Sequence, residues 1–453
     1  MPTDRITQYI EENQEQLLAD IARLIAVPSF TPQGAARALE TILSMASAMG
    51  FDTKNENGLI GWAQLGEVHT GTAYLAMISH VDTVPPGDGW NTDPFTLCEK
   101  DGWLIGRGVT DDKTGALLSL YALKFLRENR IPLNYPIRAL FGTNEETSME
   151  DVEFYLAHHP APAFCFTPDA DFPVGHGEKG RYSAQIVSFP TPDEEILSIE
   201  GGFAVNAVPA TASAAVRFSG RSWQETPGVT AILRDGKAEI HAVGRSAHAS
   251  MPEGSVNAIG LLVDALLQNN VGNPAETAYL HILQQLHAST DGSAIGIAAT
   301  NAHFSPLTII GGTIKKENGR IYQTLDSRFP PGTTGDTLTA ALKKRTGDAA
   351  ELSDISVTVP FFIEETHPAI QTCLQAFRCV TGQTAAQPFT MGGGTYARHF
   401  PCAISFGPQP ADLVRPDSLG GEHASNEAFP LKAIRTALKI YITALCGLEQ
   451  VAF

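Results

Sequence analysis

The length and composition of the chain limit what kind of protein it can be. At 453 residues it exceeds one ordinary domain, and this length predicts two or three domains. With 43% hydrophobic and 18% charged residues, the composition is typical of a soluble globular protein. The formal net charge of -18 argues against nucleic acid and anionic membrane surfaces as partners, because both attract clustered Lys and Arg.

The N-terminal segment and the cysteines indicate the cellular compartment of the protein. Residues 1–30 lack a basic stretch followed by an apolar core, and no run of about 18 apolar residues occurs in the sequence. The six cysteines form no C-x-x-C pair, which favours reduced thiols over a disulfide framework or a thiolate metal site. We therefore expect a cytoplasmic protein without a membrane partner.

The first part of the chain shows predicted strands that alternate with predicted helices. An amphipathic helix is predicted from the spacing of Ile6, Ile10, Leu17, Ile21 and Leu24. A second helix is predicted over 35–49, before Gly50. The predicted strands, separated by helical patterns, are short apolar runs at 73–79, 136–142 and 163–169. This alternation predicts a largely parallel sheet with helices on its faces.

From about residue 184 the pattern changes. Runs typical of antiparallel strands occur at 182–189, 237–244 and 319–329, with one helical stretch at 255–270. After residue 362 the alternation of the first part returns, and no repeat of fixed period occurs. The sequence therefore predicts one discontinuous domain that hosts an α+β insertion. The predicted bounds are 1–183 and 363–453 for the host domain and 184–362 for the inserted domain.

Polar side chains cluster where the predicted strands end. Ligands of open α/β sheets bind at the carboxyl ends of strands, so we expect these side chains to lie close together. The set consists of His80, Asp82, Asp111, Asp112, Glu145, Glu146, Asp169, Asp171 and His423. Each pair alone is weak evidence, because an isolated His-x-Asp is more often a hydrogen-bonded pair and adjacent acids often mark a solvated face or a helix start.

Taken together, these residues predict a site for two divalent metal ions. Two His and several carboxylates, without Cys, are ligands that suit zinc or manganese. Two ions about 3.5 to 4 Å apart need one carboxylate that bridges them and terminal ligands on each side. The side chains that fit as ligands are His80, Asp111, Glu146, Asp169 and His423. Asp82 can then hold the second imidazole nitrogen of His80, and Glu145 can take a proton from water.

Five motifs resemble those of a known family. They are "SHVDTVP", "GRGVTDDKTG", "TNEETS", "TPDADFPVGHGEKG" and "GEHASNE", and they are similar to motifs of the dinuclear zinc exopeptidases of the aminoacylase and carnosinase superfamily. The element "PDADFP…GEKG" resembles more closely the bacterial carnosinase-like dipeptidases of Xaa-His type. The resemblance extends over essentially the whole chain. It implies an α/β fold, with a zinc-exopeptidase-like catalytic domain built on a mostly parallel sheet, plus an inserted α+β lid domain.

The resemblance also implies roles for the residues at the strand ends. These roles are a bridge between the two ions for Asp111, orientation of the first imidazole for Asp82 and general base for Glu145. The Asp111-Asp112 peptide bond is expected to be cis, which is rare outside X-Pro bonds. One departure from the family is Thr114, where a small Gly is usual. We expect this departure to change the helix start locally and to leave the ligands intact.

Motifs of the inserted segment resemble the family's lid. "GGFAVNAVPA" implies that Asn206 contacts the substrate, and "GRSAHASMPEG" implies that His248 stabilises the oxyanion of the tetrahedral intermediate. "TLDSRFPPG" implies that Arg328 binds the terminal carboxylate of the substrate in two-point fashion. In the host domain, "GGGTYAR" adds Gly394, Thr395 and Arg398 as further substrate contacts. The alternatives are an exposed surface residue for His248 and an ordinary surface ion pair for Arg398.

These features predict a metal-dependent dipeptidase that acts on short peptides with a free C-terminal carboxylate. Two divalent ions, zinc first and manganese second, are the expected cofactors. Dipeptides are the expected partners, with no nucleic acid and no membrane. The length of 184–362 predicts a monomer, because a doubled lid takes the place of a dimer partner in the bacterial dipeptidases that the chain resembles.

Two other functions stay open on the same residues. An N-acyl amino acid deacylase would use the same metal chemistry but would need no pocket for a free amino group. A non-catalytic metal-binding protein of the same fold would have no need of Asp82 and Glu145. A dehydrogenase or a serine hydrolase is disfavoured, because "GRGVTD" does not match the dinucleotide fingerprint and no G-x-S-x-G elbow occurs.

Overall fold

The computed structural model describes residues 3–69, 71–219 and 222–453. Within these ranges the chain forms two compact units. The first unit is made of Met1–Gly177, Ile363–Phe389 and Gly394–Phe453, and the second unit of Glu178–Phe362 and Thr390–Gly393. Along the chain, the second unit is thus an insertion in the first.

Helices and short strands alternate in the first unit, whereas strands dominate the second. The helices in chain order are α1 (Thr3–Ile25), α2 (Pro32–Ala48), α3 (Lys113–Glu128), α4 (Glu150–His158), α5 (Ala258–Gln268), α6 (Pro274–His287), α7 (Gly335–Thr346), α8 (Pro368–Thr381) and α9 (Leu431–Leu448), with a 3₁₀ turn at Tyr396–His399. None of the helices in the described part of the chain is both long and apolar enough to cross a membrane.

The strands are short, as is usual for globular proteins. In chain order they are β1 (Asp52–Glu56), β2 (Ile60–Leu65), β3 (Leu75–His80), β4 (Cys98–Lys100), β5 (Trp103–Ile105), β6 (Ile137–Gly142), β7 (Phe164–Thr167), β8 (Ala170–Asp171), β9 (Gly175–Glu178), β10 (Gly180–Ser188), β11 (Ile196–Gly201), β12 (Thr211–Arg217), β13 (Val229–Arg234), β14 (Lys237–Val243), β15 (Thr308–Glu317), β16 (Arg320–Phe329), β17 (Ala350–Thr358), β18 (Phe361–Phe362), β19 (Phe389–Met391), β20 (Ala403–Ser405), β21 (Pro408–Gln409) and β22 (Ala428–Pro430).

The sheet of the first unit has a parallel centre and antiparallel flanks. Its strands follow the order β1-β2-β6-β3-β7-β20-β9. The pairs β6-β3, β3-β7 and β7-β20 are parallel, whereas β1-β2, β2-β6 and β20-β9 are antiparallel. The predicted class, an α/β fold with a mostly parallel sheet, is therefore confirmed, with antiparallel strands added at the flanks.

The central strands of this sheet explain where polar residues emerge. β3, β6 and β7 are buried along their full length, and parallel strands buried on both faces read as continuous apolar runs. α3 packs against β3 and β6, and α9 packs against α3. Because the three strands are parallel, their carboxyl ends, at His80, Gly142 and Thr167, open at the same edge of the sheet. The segments that follow them are thereby brought together.

The second unit is built on an antiparallel sheet of eight strands. The order is β13-β14-β12-β11-β15-β16-β10-β17, and every neighbouring pair is antiparallel. β14 alternates exposed and buried residues from Lys237 to Val243, which is the pattern of a sheet with one covered face. α5 and α6 contact the strands of this sheet, and their buried side chains, such as Leu262 and Leu283, belong to its core.

The second unit contains more helix than the sequence pattern predicted. Besides α5, which covers most of the predicted stretch, α6 and α7 are helical. α6 begins with a capping box, in which the Asn273 side chain accepts a hydrogen bond from the Glu276 backbone and the Glu276 carboxylate accepts one from Asn273. This start signal, and apolar residues at Tyr279, Leu283 and Leu286, were readable in the sequence. The prediction of a single helical stretch was therefore wrong.

Candidate metal centre

All five predicted metal ligands lie in the first unit, at the edge where its parallel strands end. His80 is the last residue of β3, and Asp111 lies two residues before the start of α3. Glu146 follows β6, Asp169 follows β7, and His423 lies in the loop before β22. Five segments that are far apart along the chain thus each contribute one candidate ligand to the same edge of the sheet.

The ligand atoms form two groups that share Asp111. In the first group, His80 Nε2 lies 2.7 Å from Asp111 Oδ1 and 3.8 Å from Asp169 Oδ2. In the second group, His423 Nε2 lies 3.0 Å from both Asp111 Oδ2 and Glu146 Oε2. Within each group the candidate ligand atoms lie within 4.8 Å of one another. The two carboxylate oxygens of Asp111 therefore face different groups, as a carboxylate that bridges two ions requires.

The chemistry of these groups fits divalent metal ions. His80 is fully buried, and its Nε2 atom makes no hydrogen bond of regular geometry to the described residues, although it lies 2.7 Å from Asp111 Oδ1. A buried imidazole nitrogen in this state is suited to bind a metal ion. The donors are imidazole nitrogen and carboxylate oxygen, without thiolate, and this set suits zinc or manganese. The residues present therefore fit a pair of such ions.

The electrostatics of the site favour added positive charge. Burial and the nearby charge of Asp111 raise the pKa of the Asp169 carboxyl well above its usual value. Burial and the charge of Asp169 likewise raise the pKa of Glu145. Hydrogen bonds to Asp111 and Glu146 raise the pKa of His423 to about 11. Carboxylates crowded in this way repel one another, and divalent cations would relieve the repulsion.

Asp82 connects the first histidine to the loop after β6. The Nδ1 atom of His80 donates a hydrogen bond of 3.1 Å to the backbone carbonyl of Asp82 and lies 3.4 Å from its carboxylate. This arrangement keeps the proton on Nδ1 and leaves Nε2 for a ligand role. The same carboxylate accepts backbone N–H bonds from Glu145 and Glu146, at 3.4 and 3.2 Å. Asp82 thus contacts both sides of the site.

The loop that carries Glu145 has a second support, which sequence reasoning missed. The buried carboxylate of Asp151 accepts N–H bonds from Thr143 at 2.6 Å and from Asn144 at 2.9 Å. The hydroxyl of Tyr396 also donates to this carboxylate. In the sequence, Asp151 stands among the acidic residues that open α4 and suggests only a favourable helix-dipole contact. Its partners could not be inferred from that position.

The start of α3 agrees with two expectations. The Asp111-Asp112 peptide bond is cis, as the resemblance implied. Thr114, which stands where the family usually has Gly, is buried and donates a hydrogen bond of 2.6 Å to the Val109 carbonyl. The close approach that demands glycine occurs one residue later, because a Cβ at Gly115 would overlap the carboxylate of Asp112. Thr114 is thus accommodated at the helix start.

The substrate-binding residues predicted in the second unit have defined surroundings there. Asn206 and His248 lie in neighbouring segments, since the Asn206 carbonyl accepts the Ala249 N–H at 2.9 Å. The backbone N–H of Ser250 donates to His248 Nδ1 at 3.2 Å, which leaves the proton of the neutral ring on Nε2. His248 is exposed within this unit. The Ser250 hydroxyl lies 2.7 Å from the same Nδ1 atom and can also donate to it, which agrees with a neutral ring that carries its proton on Nε2.

Arg328 forms an ion pair with Asp326, an aspartate of its own strand, β16. Its Nε atom donates to Asp326 Oδ1 at 2.7 Å, and its Nη1 atom donates to the Gly392 carbonyl at 3.1 Å. Asp326 is fully buried and also accepts a hydrogen bond from Arg181 at 2.8 Å. The guanidinium plane of Arg328 is thereby fixed by groups of the second unit.

The remaining predicted contacts, Gly394, Thr395 and Arg398, lie in the first unit around the 3₁₀ turn. Thr395 is buried, and its hydroxyl accepts the Ala397 N–H at 3.2 Å. Gly394 packs directly against the Arg398 guanidinium, since a Cβ at this glycine would lie 2.7 Å from Arg398 Cζ. The "GGGTYAR" motif therefore leaves room for the arginine head group beside the glycine backbone.

The first unit combines an open α/β sheet with two candidate ligand groups that share a carboxylate at its carboxyl edge, which is an arrangement of metal-dependent hydrolases. The model of peptidase family M20/M25/M40 matches residues 76–446, and the chain belongs to this family. The resemblance read from the motifs, and with it the prediction of a metallopeptidase, is confirmed.

Individual relatives match over nearly the whole chain. A Beta-Ala-Xaa dipeptidase of Lactobacillus delbrueckii subsp. lactis is 29% identical over 474 residues, which cover 98% of this chain and 98% of that protein. The solved structure of the dipeptidase Dug1p of Saccharomyces cerevisiae has a TM-score of 0.65 at 13% identity and covers 99% of both chains. Human carnosine dipeptidase 1 has a TM-score of 0.57 at 14% identity, with 99% of this chain and 100% of that one covered. At such identities the structural likeness establishes the fold.

Proposed function

We propose that the chain is a metal-dependent dipeptidase that hydrolyses short peptides with a free C-terminal carboxylate. The observation that carries this proposal is the Asp111 carboxylate, whose two oxygens each face a separate group of His and carboxylate ligands. Membership of the peptidase family and a full-length relative named Beta-Ala-Xaa dipeptidase support the same activity.

In this proposal the ligands divide between two ions. One ion would be held by His80, Asp111 and Asp169, and the other by Asp111, Glu146 and His423. Zinc is the first candidate and manganese the second, because nitrogen and carboxylate donors suit both. When bound, such a pair polarises the scissile carbonyl and makes water a stronger nucleophile at neutral pH.

Glu145 is proposed as the general base. It stands next to a ligand, Glu146, without belonging to either ligand group. Its carboxylate would accept the proton of the attacking water and return it to the leaving amine. Asp82 would hold its backbone in place through the N–H bond described above. Asp82 thus acts on the reaction through the positions of His80 and Glu145.

Six residues are proposed to bind substrate or to stabilise charge. Arg328 would bind the terminal carboxylate of the substrate through two parallel hydrogen bonds. Its ion pair with Asp326 would fix the orientation of the guanidinium plane for this contact. His248 would donate its Nε2 proton to the developing oxyanion. The remaining proposed substrate contacts are Asn206 and the motif residues Gly394, Thr395 and Arg398.

Arg328→Lys is expected to raise the KM for a dipeptide by about tenfold to a hundredfold, with kcat little changed. A lysine cannot make the two-point contact, and removing an interaction that is equally strong in the ground and transition states changes KM rather than kcat. Arg181→Lys is the matched control, because Arg181 shares Asp326 but is not proposed to contact substrate. Equal KM values in the two variants would exclude Arg328 from carboxylate binding.

A dipeptide amide, which lacks the terminal carboxylate, should be cleaved equally well by the wild type and by Arg328→Lys.

The proposed activity is tested with a free dipeptide beside its N-acetylated form, after the protein has been stripped of metal and supplied with zinc or manganese. Cleavage of the free dipeptide alone, and only with metal, is the expected result and identifies a working ion. Preference for the acetylated compound would replace the proposal with an N-acyl amino acid deacylase. Binding of two ions without cleavage of either compound would favour a non-catalytic metal-binding protein.

We also propose that the protein acts as a monomer in the cytoplasm. All six cysteines carry free thiols, which supports a reducing compartment. The monomer is proposed from the length of the inserted segment. Sedimentation equilibrium of the metal-loaded protein tests it, and a dimer mass would contradict it.

A further inference from the structure

Two buried, oppositely charged side chains lie behind the metal ligands without being ligands themselves. Arg107 is 1% exposed and Glu427 is fully buried. Arg107 Nη1 donates to Glu427 Oε2 at 2.7 Å. Arg107 stands four positions before Asp111, and Glu427 stands four positions after His423. The ion pair therefore joins the two loops that supply these ligands.

The carboxylate of Glu427 holds the backbone of the loop that carries Asp111. Its Oε2 atom accepts the Gly108 N–H at 2.9 Å. Its Oε1 atom accepts the N–H groups of Thr110 at 2.8 Å and of Asp111 itself at 3.2 Å. Together with the bond from Arg107, four donors converge on one buried carboxylate, which uses its full accepting capacity.

The guanidinium of Arg107 holds two further segments. Its Nη2 atom donates to the carbonyl oxygens of Pro85 and Pro86, at 3.4 and 3.2 Å, in the segment that follows His80. The same atom donates to the carbonyl oxygen of His423 at 3.3 Å. Nη2 has two N–H groups, so the three carbonyl oxygens share them, while Nη1 of the same planar group remains bonded to Glu427. Three ligand-bearing segments thus meet at one ion pair.

The two histidines differ in how much they need this support. The side chain of His80 is 0% exposed and stands at the end of a buried strand, whereas that of His423 is 57% exposed and stands in a loop. His423 also has a φ of +62°, in the left-handed region that non-glycine residues rarely adopt. Such a conformation persists when surrounding contacts determine it, and the bond from Arg107 to the His423 carbonyl is one of them.

We infer that Arg107 and Glu427 are positioning residues that set the distance between Asp111 and His423 and thereby the affinity of the Asp111–Glu146–His423 group for its ion. The group formed by His80, Asp111 and Asp169 depends on them less, because β3 and β7 place two of its members. This inference rests on the proposed function, since it assumes that the two groups bind metal ions.

The test is a calorimetric titration of metal-stripped, full-length protein with Zn²⁺ alone. Glu427→Gln keeps the size of the side chain but removes its charge and part of its accepting capacity. The wild type should bind two ions. In Glu427→Gln one ion should lose little affinity and the other should bind about tenfold to a hundredfold more weakly, as is usual when groups behind the ligands are altered. In a His423→Ala background, Glu427→Gln should cause little further loss of affinity.

Glu276→Gln is the matched control. Glu276 is a buried carboxylate of the second unit that likewise accepts three backbone N–H bonds, from Glu195, Ile196 and Asn273. This variant should lose thermal stability and bind both ions as the wild type does. If Glu427→Gln does not fold, Arg107→Met combined with Glu427→Leu removes both charges together and avoids an unpaired buried charge. The same loss of affinity at one ion is expected for it.

The outcomes separate the inference from the proposed function. A folded variant that binds both ions normally, or that weakens both equally, would overturn the positioning role while leaving the dipeptidase proposal intact. A wild-type protein that binds fewer than two ions would instead overturn the two-ion site and, with it, this inference. Restored turnover of Glu427→Gln at high Zn²⁺ would support the inference if the metal-free variant melts at the same temperature as the metal-free wild type, since bound metal can also stabilise a destabilised fold.

Discussion

Glu145→Gln is expected to lower kcat by about three orders of magnitude while two ions stay bound. A glutamine of the same size cannot accept a proton, and general base catalysis contributes on the order of 10² to 10⁴ in rate. The loop itself should keep its place, because Asp82 and Asp151 hold its backbone rather than the Glu145 side chain. The measurements are kcat at saturating dipeptide and zinc stoichiometry on the same preparation.

Glu150→Gln provides the matched control for this variant. Glu150 is exposed at the start of α4, five residues further along, and the same chemical change there should leave kcat unaltered. Two results would speak against the proposed base. Turnover at the wild-type rate would exclude Glu145 from proton transfer, and loss of an ion would identify Glu145 as a ligand instead.

Asp111→Asn is expected to remove both ions and to lower kcat/KM by at least about four orders of magnitude. Asp111 is the one residue common to the two candidate groups. An asparagine has one carbonyl oxygen and no charge, so it could not offer a carboxylate oxygen to each of the two candidate ligand groups. The loss should therefore exceed the loss caused by removing a ligand of one group.

Asp169→Asn is the comparison that tests the shared role of Asp111. Asp169 belongs to the His80 group alone, so this variant should keep the ion of the His423 group at near wild-type affinity. Asp88→Asn, at an exposed position after β3, should behave as the wild type in both assays. If Asp111→Asn still binds one ion tightly, Asp111 serves a single ion and the bridging role is wrong.

Much of the first unit was predictable because the signals were local. Apolar runs of strand length marked β3, β6 and β7, and their alternation with helical patterns predicted the parallel centre of the sheet. The polar residues that follow these runs had to lie at one edge. The antiparallel strands β1 and β2 were not anticipated. For β1 the reason is that an exposed edge strand has a weak apolar pattern.

The motifs carried the family assignment, which the match over 76–446 confirms. They also carried the expectation of a cis bond between Asp111 and Asp112, which the structure has. The helix α6 was not predicted although its capping box is present, because a start signal of four residues is short beside the strand patterns on either side of it.

The sequence by itself determined the family, the class of fold and the types of side chain that end the parallel strands, since motifs and periodicity are written in neighbouring residues. Only the tertiary structure decided which atoms face one another. It assigned one oxygen of Asp111 to His80 and the other to His423, and it joined Arg107 to Glu427 across 320 residues. Contacts of this kind depend on how distant segments pack, and no local pattern records them.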